Sequence, residues 1–294
     1  MTGQGSTLAL DIGGTKMLAA LVQDSAVIDS FGMPTPRGGD PKAWLEALFA
    51  QIGPWQDRYD RVGVAVTGIV ENGLWSALNK KTLDIPDRFP LTETVSTLAG
   101  CPASAANDAQ AAAWGEYRFG AGAGEDMAFL TISTGIGGGV VLNGRLLPGI
   151  AAHFGLFRVQ DFESSTAHDS AVEDHISGNW IARAASAHRP NASARDVFEA
   201  ASGGEQWAEE IIALSARRAA LLCRNVQLAV DPPRIVVGGG IGLAPGYLER
   251  IEAALSHVEQ RLRPKLVPAR LGDKAGVVGI ADLANHPTTK GECE

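Results

Sequence analysis

Three apolar, strand-like runs in this chain end in clusters of glycine. TLALD runs into Gly13 and Gly14, MAFLTIST into Gly135 through Gly139, and RIVV into Gly238, Gly239 and Gly240. A buried strand that meets consecutive glycines can turn with positive φ and can bring backbone N–H groups close to an anion. One such turn is most simply a structural bend. Three in one chain point to a nucleotide held by the ends of several strands. The 35 glycines of the 294 residues follow no collagen period, and many of them cluster at these turns.

The first two turns share a setting. Residues 7–30 read as strand, small polar turn, strand, turn, strand, and residues 127–150 repeat that design without repeating the sequence. On periodicity alone MLAALV (17–22) is also compatible with a helix, but its flanking turns favour a meander. Asn72-Gly73 and Asn143-Gly144 are hairpin signals. Two copies predict two similar α/β domains with a cleft between them. The expected boundaries are 1–118 and 119–277, with a C-terminal helix around 278–290 completing the first domain. Helices are expected at 41–56 and through Ile212, Ala216, Ala219, Cys223 and Val226, stopped by Pro232-Pro233. Another is expected through Leu248, Ile251, Leu255, Val258 and Leu262.

Net charge is −8 and no Lys/Arg run exceeds two, which argues against a phosphate-tracking nucleic-acid binder but not against a local nucleotide site. Cys101, Cys223 and Cys293 are too few and too scattered for a disulfide framework or a cysteine zinc site, and Cys223 falls on a helix stripe as a small buried hydrophobe. With no signal-like start and no long apolar run, a cytoplasmic location and no membrane partner are expected. No P-loop or protein-kinase signature is present, and GIGLAPG (240–246) is only a near miss to a dinucleotide turn.

Two acidic positions stand beside these turns. Asp11 closes the first strand next to the turn Gly13-Gly14-Thr15-Lys16; a carboxylate there either caps the bend or serves Mg²⁺, often through water. Asn107-Asp108 lies where a short strand meets a helix of small residues. Helix capping is the simplest role. A carboxylate at that junction could also accept the proton of a hydroxyl attacking a γ-phosphate, and the helix N-terminus favours its ionised form.

LALDIGGTK, GVAVTGIVENG, ALN, ANDAQAAAWGE, ISTGIGGGVV and VVGGGIG, in this order and spacing, resemble the ROK family of sugar kinases, over nearly the whole chain. Within it the resemblance is greatest to bacterial N-acetylmannosamine kinases. It implies an actin/hexokinase-type (ribonuclease H-like) duplicated α/β fold with nucleotide and sugar in an interdomain cleft. It implies ATP and Mg²⁺ as cofactors, phosphorylation of N-acetylmannosamine at O6, and a homodimer. By matching position, Asp108 would be the general base; Asn79, Asn107, His153 and Glu173 would hold the sugar. Asp11, Gly13, Gly14, Thr15 and Lys16 would handle phosphates and Mg²⁺. Thr134, Gly135, Gly137 and Gly138 would form a second phosphate loop, and Gly239 and Gly240 would lie by the nucleoside. The alternatives are a kinase for glucose or another hexose, and a non-catalytic sugar sensor. The sugar-responsive repressors of the family carry an extra N-terminal helix-turn-helix; with a first strand near Thr7, none is expected here.

The sequence departs from the family at its zinc site. Leu156 stands where many members have a zinc-ligating histidine, and the loop ending in AVEDHISG has none of the usual cysteines. All four ligands being absent together, no structural zinc is expected. No HxxxH or HExxH pattern occurs around His168, Asp169 and His175, and the two histidines are seven apart, so a solvated loop is the better reading. Packing of Phe154, Leu156, Phe157 and Phe162 is then expected to replace the metal in ordering Glu173 and His153.

Overall fold

The computed structural model describes residues 5–36, 38–78, 83–159 and 170–286. Strands β1 (Ser6–Ile12), β2 (Lys16–Gln23) and β3 (Ala26–Pro34) form an antiparallel meander. MLAALV is therefore strand: it is hemmed between two tight turns, too short to nucleate a helix, and paired on both sides. Next come α1 (Pro41–Gln51), β4 (Tyr59–Val66), and a small sheet of β5 (Ile69–Glu71), β6 (Leu74–Ser76) and β7 (Phe89–Pro90). Helix α2 (Leu91–Ala99), β8 (Ala103–Asn107) and α3 (Asp108–Phe119) complete the first unit. Its sheet runs β3-β2-β1-β4-β8, with β1, β4 and β8 parallel.

The second sheet begins with β9 (Met127–Ile132), β10 (Ile136–Leu142) and β11 (Arg145–Leu146). A ribbon of β12 (Arg158–Val159) and β13 (Ser170–Ala171) follows, then α4 (Glu173–Ile176), α5 (Gly178–Ala185), α6 (Ala194–Ser202) and α7 (Gln206–Val230). The chain ends through β14 (Ile235–Gly238), α8 (Gly239–Gly242), α9 (Tyr247–Ala254), β15 (Leu266–Pro268) and α10 (Ala275–Asn285). The order β11-β10-β9-β14-β15, with β9, β14 and β15 parallel, repeats the first sheet position for position. The duplication inferred from pattern is thus a duplication of topology.

Strand alternation sorts the core. Leu8, Leu10 and Ile12 of β1 face α1 and α2, whereas Ala9 faces α10. In β9, Leu130 and Ile132 face the α7 side, whereas Met127 and Phe129 face α3. Helices α3 and α10 therefore lie between the two sheets, packed on each other. That packing requires glycine: a Cβ on Gly279 would overlap the carbonyl of Ala111, and one on Gly115 the carbonyl of Ala275.

Three expectations need correction. Helix α1 stops at Gln51 and a 3₁₀ turn over Gly53–Arg58 follows, because Gly53-Pro54 interrupts the helix. Helix α9 stops at Ala254; Val258 is buried from a turn and Leu262 belongs to a 3₁₀ turn, so their spacing reflects a shared apolar environment and not one helix. The third glycine run opens directly into α8. Both Asn-Gly hairpins take the expected left-handed pair, with φ of 53° and 78° at Asn72-Gly73 and 52° and 70° at Asn143-Gly144.

Candidate active site

The C-terminal ends of β1, β4, β8, β9 and β14 open onto one cleft of about 750 Å³. This is where parallel strands leave unpaired ends for ligands. Asp11, Asn107, Asp108, Thr134, Gly135, Gly137, Gly138, His153, Glu173, Gly239 and Gly240 all line it. Gly13, Gly14, Thr15 and Lys16 are not among its lining residues, although Lys16 is close enough to Asp11 to favour its ionised form. Asn79, His168, Asp169 and Phe162 lie outside the described residues.

Asp108 is the first residue of α3. Its Oδ2 accepts a hydrogen bond from the Thr67 hydroxyl at 2.9 Å and its Oδ1 one from the Ala109 N–H at 2.8 Å. Burial raises the carboxyl's pKa; those two hydrogen bonds, the nearby His153 and Asn107 pull it back. Asp11 is pushed up to about 6, first by burial, then by the negative charge of Asp108, with Lys16 opposing. A buried carboxylate whose proton affinity is raised by the negative charge of a second one favours a cation close by.

Asn107 is largely committed. Its Oδ1 caps α3 by accepting from the N–H groups of Ala109 and Gln110, and its Nδ2 donates to the Gly68 carbonyl at 2.9 Å. Capping and ligand contact are compatible, since the second amide hydrogen is only weakly used, with Nδ2 3.5 Å from the Val66 carbonyl oxygen. Glu173 opens α4 and its Oε2 accepts from the Ile136 N–H at 2.7 Å, tight against Gly135, where a Cβ would overlap the carboxylate. His153 has Nε2 3.5 Å from the Gly68 carbonyl, while its buried Nδ1 has no partner among the described residues.

The second glycine run divides by role. Only Ser133, Thr134 and Gly135 form the turn; Gly137 and Gly138 lie within β10. On one face of that strand, a Cβ on Gly137 would press the Ala109 methyl at 2.7 Å, and one on Gly139 would overlap that of Ala113. On the other, a Cβ on Gly138 would overlap the Phe154 ring. These glycines let α3 and Phe154 close on the strand. Gly239 has φ 85° and a Cβ there would overlap the Ile132 carbonyl, whereas Gly240 has nothing within 4 Å. The space above Gly240 is open to a ligand.

The expected aromatic replacement for zinc is corrected. Phe154 is buried and packs edge to face with Phe157, their ring centroids 5.6 Å apart, but Leu156 is 44 % and Phe157 37 % exposed. What fixes Glu173 is the Ile136 amide instead. His175 is engaged by the Ser170 hydroxyl at 2.7 Å, and no group of three metal-ligand side chains occurs among the described residues. The sequence reading missed Thr67, Gly68 and Gln110. Thr67 follows the buried strand β4 and directly precedes Gly68, a setting close to that of Asp11 at the end of β1 two residues before Gly13, and that signal could have found it. Among the described residues no helix is long and apolar enough to cross a membrane.

The chain matches the ROK family over residues 7–286. It is 45 % identical over 280 residues to the bifunctional enzyme NanE/NanK of Brucella melitensis, covering 94 % of this chain and 53 % of that one. The chain therefore spans about half the length of that relative. It is 41 % identical over 285 residues to an N-acetylmannosamine kinase of Escherichia coli, covering 95 % of this chain and 98 % of the relative. Among solved structures, a ROK family glucokinase from Streptomyces griseus in complex with glucose and AMPPNP superposes with a TM-score of 0.79 at 30 % identity, covering 96 % of this chain and all of the other.

Proposed function

The chain belongs to the ROK family, and on that footing we propose that it transfers the γ-phosphoryl group of ATP to O6 of N-acetylmannosamine, with Asp108 as general base. The observation that carries this is the Asp108 carboxylate facing the cleft, held by Thr67 and Ala109 beside Asp11. Identity of 41–45 % to an N-acetylmannosamine kinase and to NanE/NanK favours this sugar over glucose.

In this reading the sugar lies on the His153 side, its hydroxyls taken by Nδ1 of His153, which has no partner among the described residues, by the weakly used second hydrogen of the Asn107 amide and by the second carboxylate oxygen of Glu173. Asn79 is the remaining sugar contact. The O6 hydroxyl gives its proton to Asp108 as the oxygen attacks. The nucleotide lies across Thr134-Gly135 and the open face above Gly240, and the Gly13–Lys16 turn closes on its phosphates. The buried Asp11–Asp108 pair fits a divalent cation; Mg²⁺ held by Asp11, through water, would neutralise phosphate charge. No structural zinc takes part. The two lobes, 1–118 with the C-terminal helix and 119–277, close to exclude water, and the protein works as a homodimer.

The test is a coupled assay with ATP and a panel of N-acetylmannosamine, N-acetylglucosamine and glucose. Phosphorylation of N-acetylmannosamine with the highest kcat/KM is expected. A preference for glucose would replace the substrate, and no turnover with any sugar would make the protein a sensor.

A further inference from the structure

Helix α3 carries two polar side chains that are buried deep and that the chemistry above does not use. Gln110 is 2 % exposed and Glu116 is fully buried. Gln110 is fixed in the first turn of α3, its own N–H donating to Asn107 Oδ1 at 3.2 Å. Its Nε2 points at three carbonyl oxygens, those of Leu147 at 3.2 Å, Gly149 at 3.0 Å and Ala151 at 3.1 Å. An amide nitrogen has two hydrogens, so three acceptors share two donors. The segment wrapped around it bends at Gly149, with φ 71°, and at Ala152, with φ 62°. Ala152 precedes His153, and a left-handed alanine persists only where its surroundings impose it. The Gln110 amide is the central contact of that wrapping.

Glu116 does the corresponding work less than two turns on. Its carboxylate accepts from the N–H groups of Arg270, at 2.9 and 3.1 Å, Leu271 at 2.7 Å and Ala121 at 2.8 Å. The segment it grips includes cleft-lining residues Ala269, Gly272 and Asp273. Ala269 abuts Gly238, where a Cβ would lie 3.2 Å from the alanine methyl. Gln110 therefore holds the wall that carries His153, and Glu116 the wall beside the third glycine turn.

We propose that α3 positions the two walls of the cleft separately, Gln110 for the sugar and Glu116 for the nucleotide, with Asp108 fixed between them. The assignment of the two substrates rests on the kinase reading above; the separate control of two walls does not. Neither side chain reaches into the cleft, so both are positioning residues. A purely structural role would lower stability and leave the KM values of the folded enzyme unchanged. A positioning role splits them.

The experiment compares Gln110→Ala and Glu116→Gln in the full chain. Gln110→Ala is expected to raise the sugar KM about tenfold, the scale of one net hydrogen bond lost from a binding wall, with kcat and the ATP KM within about twofold. Glu116→Gln is expected to do the reverse, because its new –NH₂ faces backbone N–H groups. Hydrogen exchange supplies a readout that needs no turnover: Gln110→Ala should speed exchange over 147–156 and spare 269–273, and Glu116→Gln the converse. Split exchange with no kinase activity in the parent protein would keep the two-wall proposal and sink the kinase reading. Parallel changes in both segments, in both KM values, or in neither, would overturn the proposal. Should Glu116→Gln fail to fold, Glu116→Asp keeps the charge, shortens its reach and serves in its place.

Discussion

Asp108 and Asp11 are both drawn away from water, and their roles separate by what surrounds them. Asp108 keeps two hydrogen-bond donors and the start of a helix, which preserve an ionised form able to take a proton. Replacement by Asn should cut kcat by roughly 10²–10⁴-fold while ATP binding persists, as calorimetry of nucleotide binding would record; near-normal turnover would remove Asp108 as base. Asp11 carries a signed pH effect. Its carboxyl is raised from 3.8 to about 6 on folding, so the native state holds a proton that the unfolded chain has released. Stability from this group is therefore present below pH 4 and is lost as pH rises from about 4 to about 6. The stability of the parent protein minus that of Asp11→Asn, from denaturant titrations, should fall over that window. Mg²⁺ with nucleotide should recover the loss above pH 6. A difference that rises with pH would contradict the burial argument.

At the scale of elements, close approach of backbones decides which glycines are indispensable. Gly279 and Gly115 let α10 and α3 cross with backbone against backbone, and Gly63 of β4 sits under the Ile280 carbonyl. Alanine at 279 gains about 1 kcal/mol of helix propensity. It must also push apart two backbones that have no side-chain freedom to yield, typically costing about 1–3 kcal/mol for each overpacked site. Overlap with backbone lies at the upper end, so Gly279→Ala should lower Tm. Gly240→Ala, with nothing within 4 Å, should leave Tm nearly unchanged and raise the ATP KM. Thermal melts of both variants check the pair. A lower Tm for the second variant, or none for the first, would reverse the reading of these glycines.

For the whole molecule, two sheets of the same order face each other across α3 and α10, and both sets of strand ends open on the cleft. The segment that carries His153 is held by the Gln110 amide and by Phe154 set into β10, and Glu173 by the Ile136 N–H. Each of these contacts is made by protein groups alone. Treatment with a chelator should therefore leave Tm unchanged, and metal analysis should find far less than one zinc per chain. A drop in Tm with stoichiometric zinc would show that the loop is held otherwise. Much of this level was legible beforehand. The hairpins at Asn72-Gly73 and Asn143-Gly144, the meander and the strand-to-helix junction at Asp108 are set by neighbours in sequence. The roles of Gln110 and Glu116 were not legible, because the segments they hold lie 37–41 and 154–155 residues away.

The sequence by itself determined where strands end in glycine, that one strand–turn design occurs twice, and which carboxylates stand at strand ends. Each of these follows from local φ/ψ preferences and side-chain period. Only the tertiary structure decided what each glycine is for. Absence of a Cβ is a local property, but whether its space is taken by Ala113, by Phe154, by a crossing backbone or by nothing is a long-range contact. So Gly137, Gly138 and Gly139 became packing positions inside a strand, while Gly240 stayed open to the cleft. The same distinction divides the helix from its imitation: Ile212 to Val226 lie on one face of α7, whereas the equally regular spacing from Leu248 to Leu262 outlasts α9. Periodicity reports which residues are buried together, and backbone hydrogen bonding decides which of them share an element.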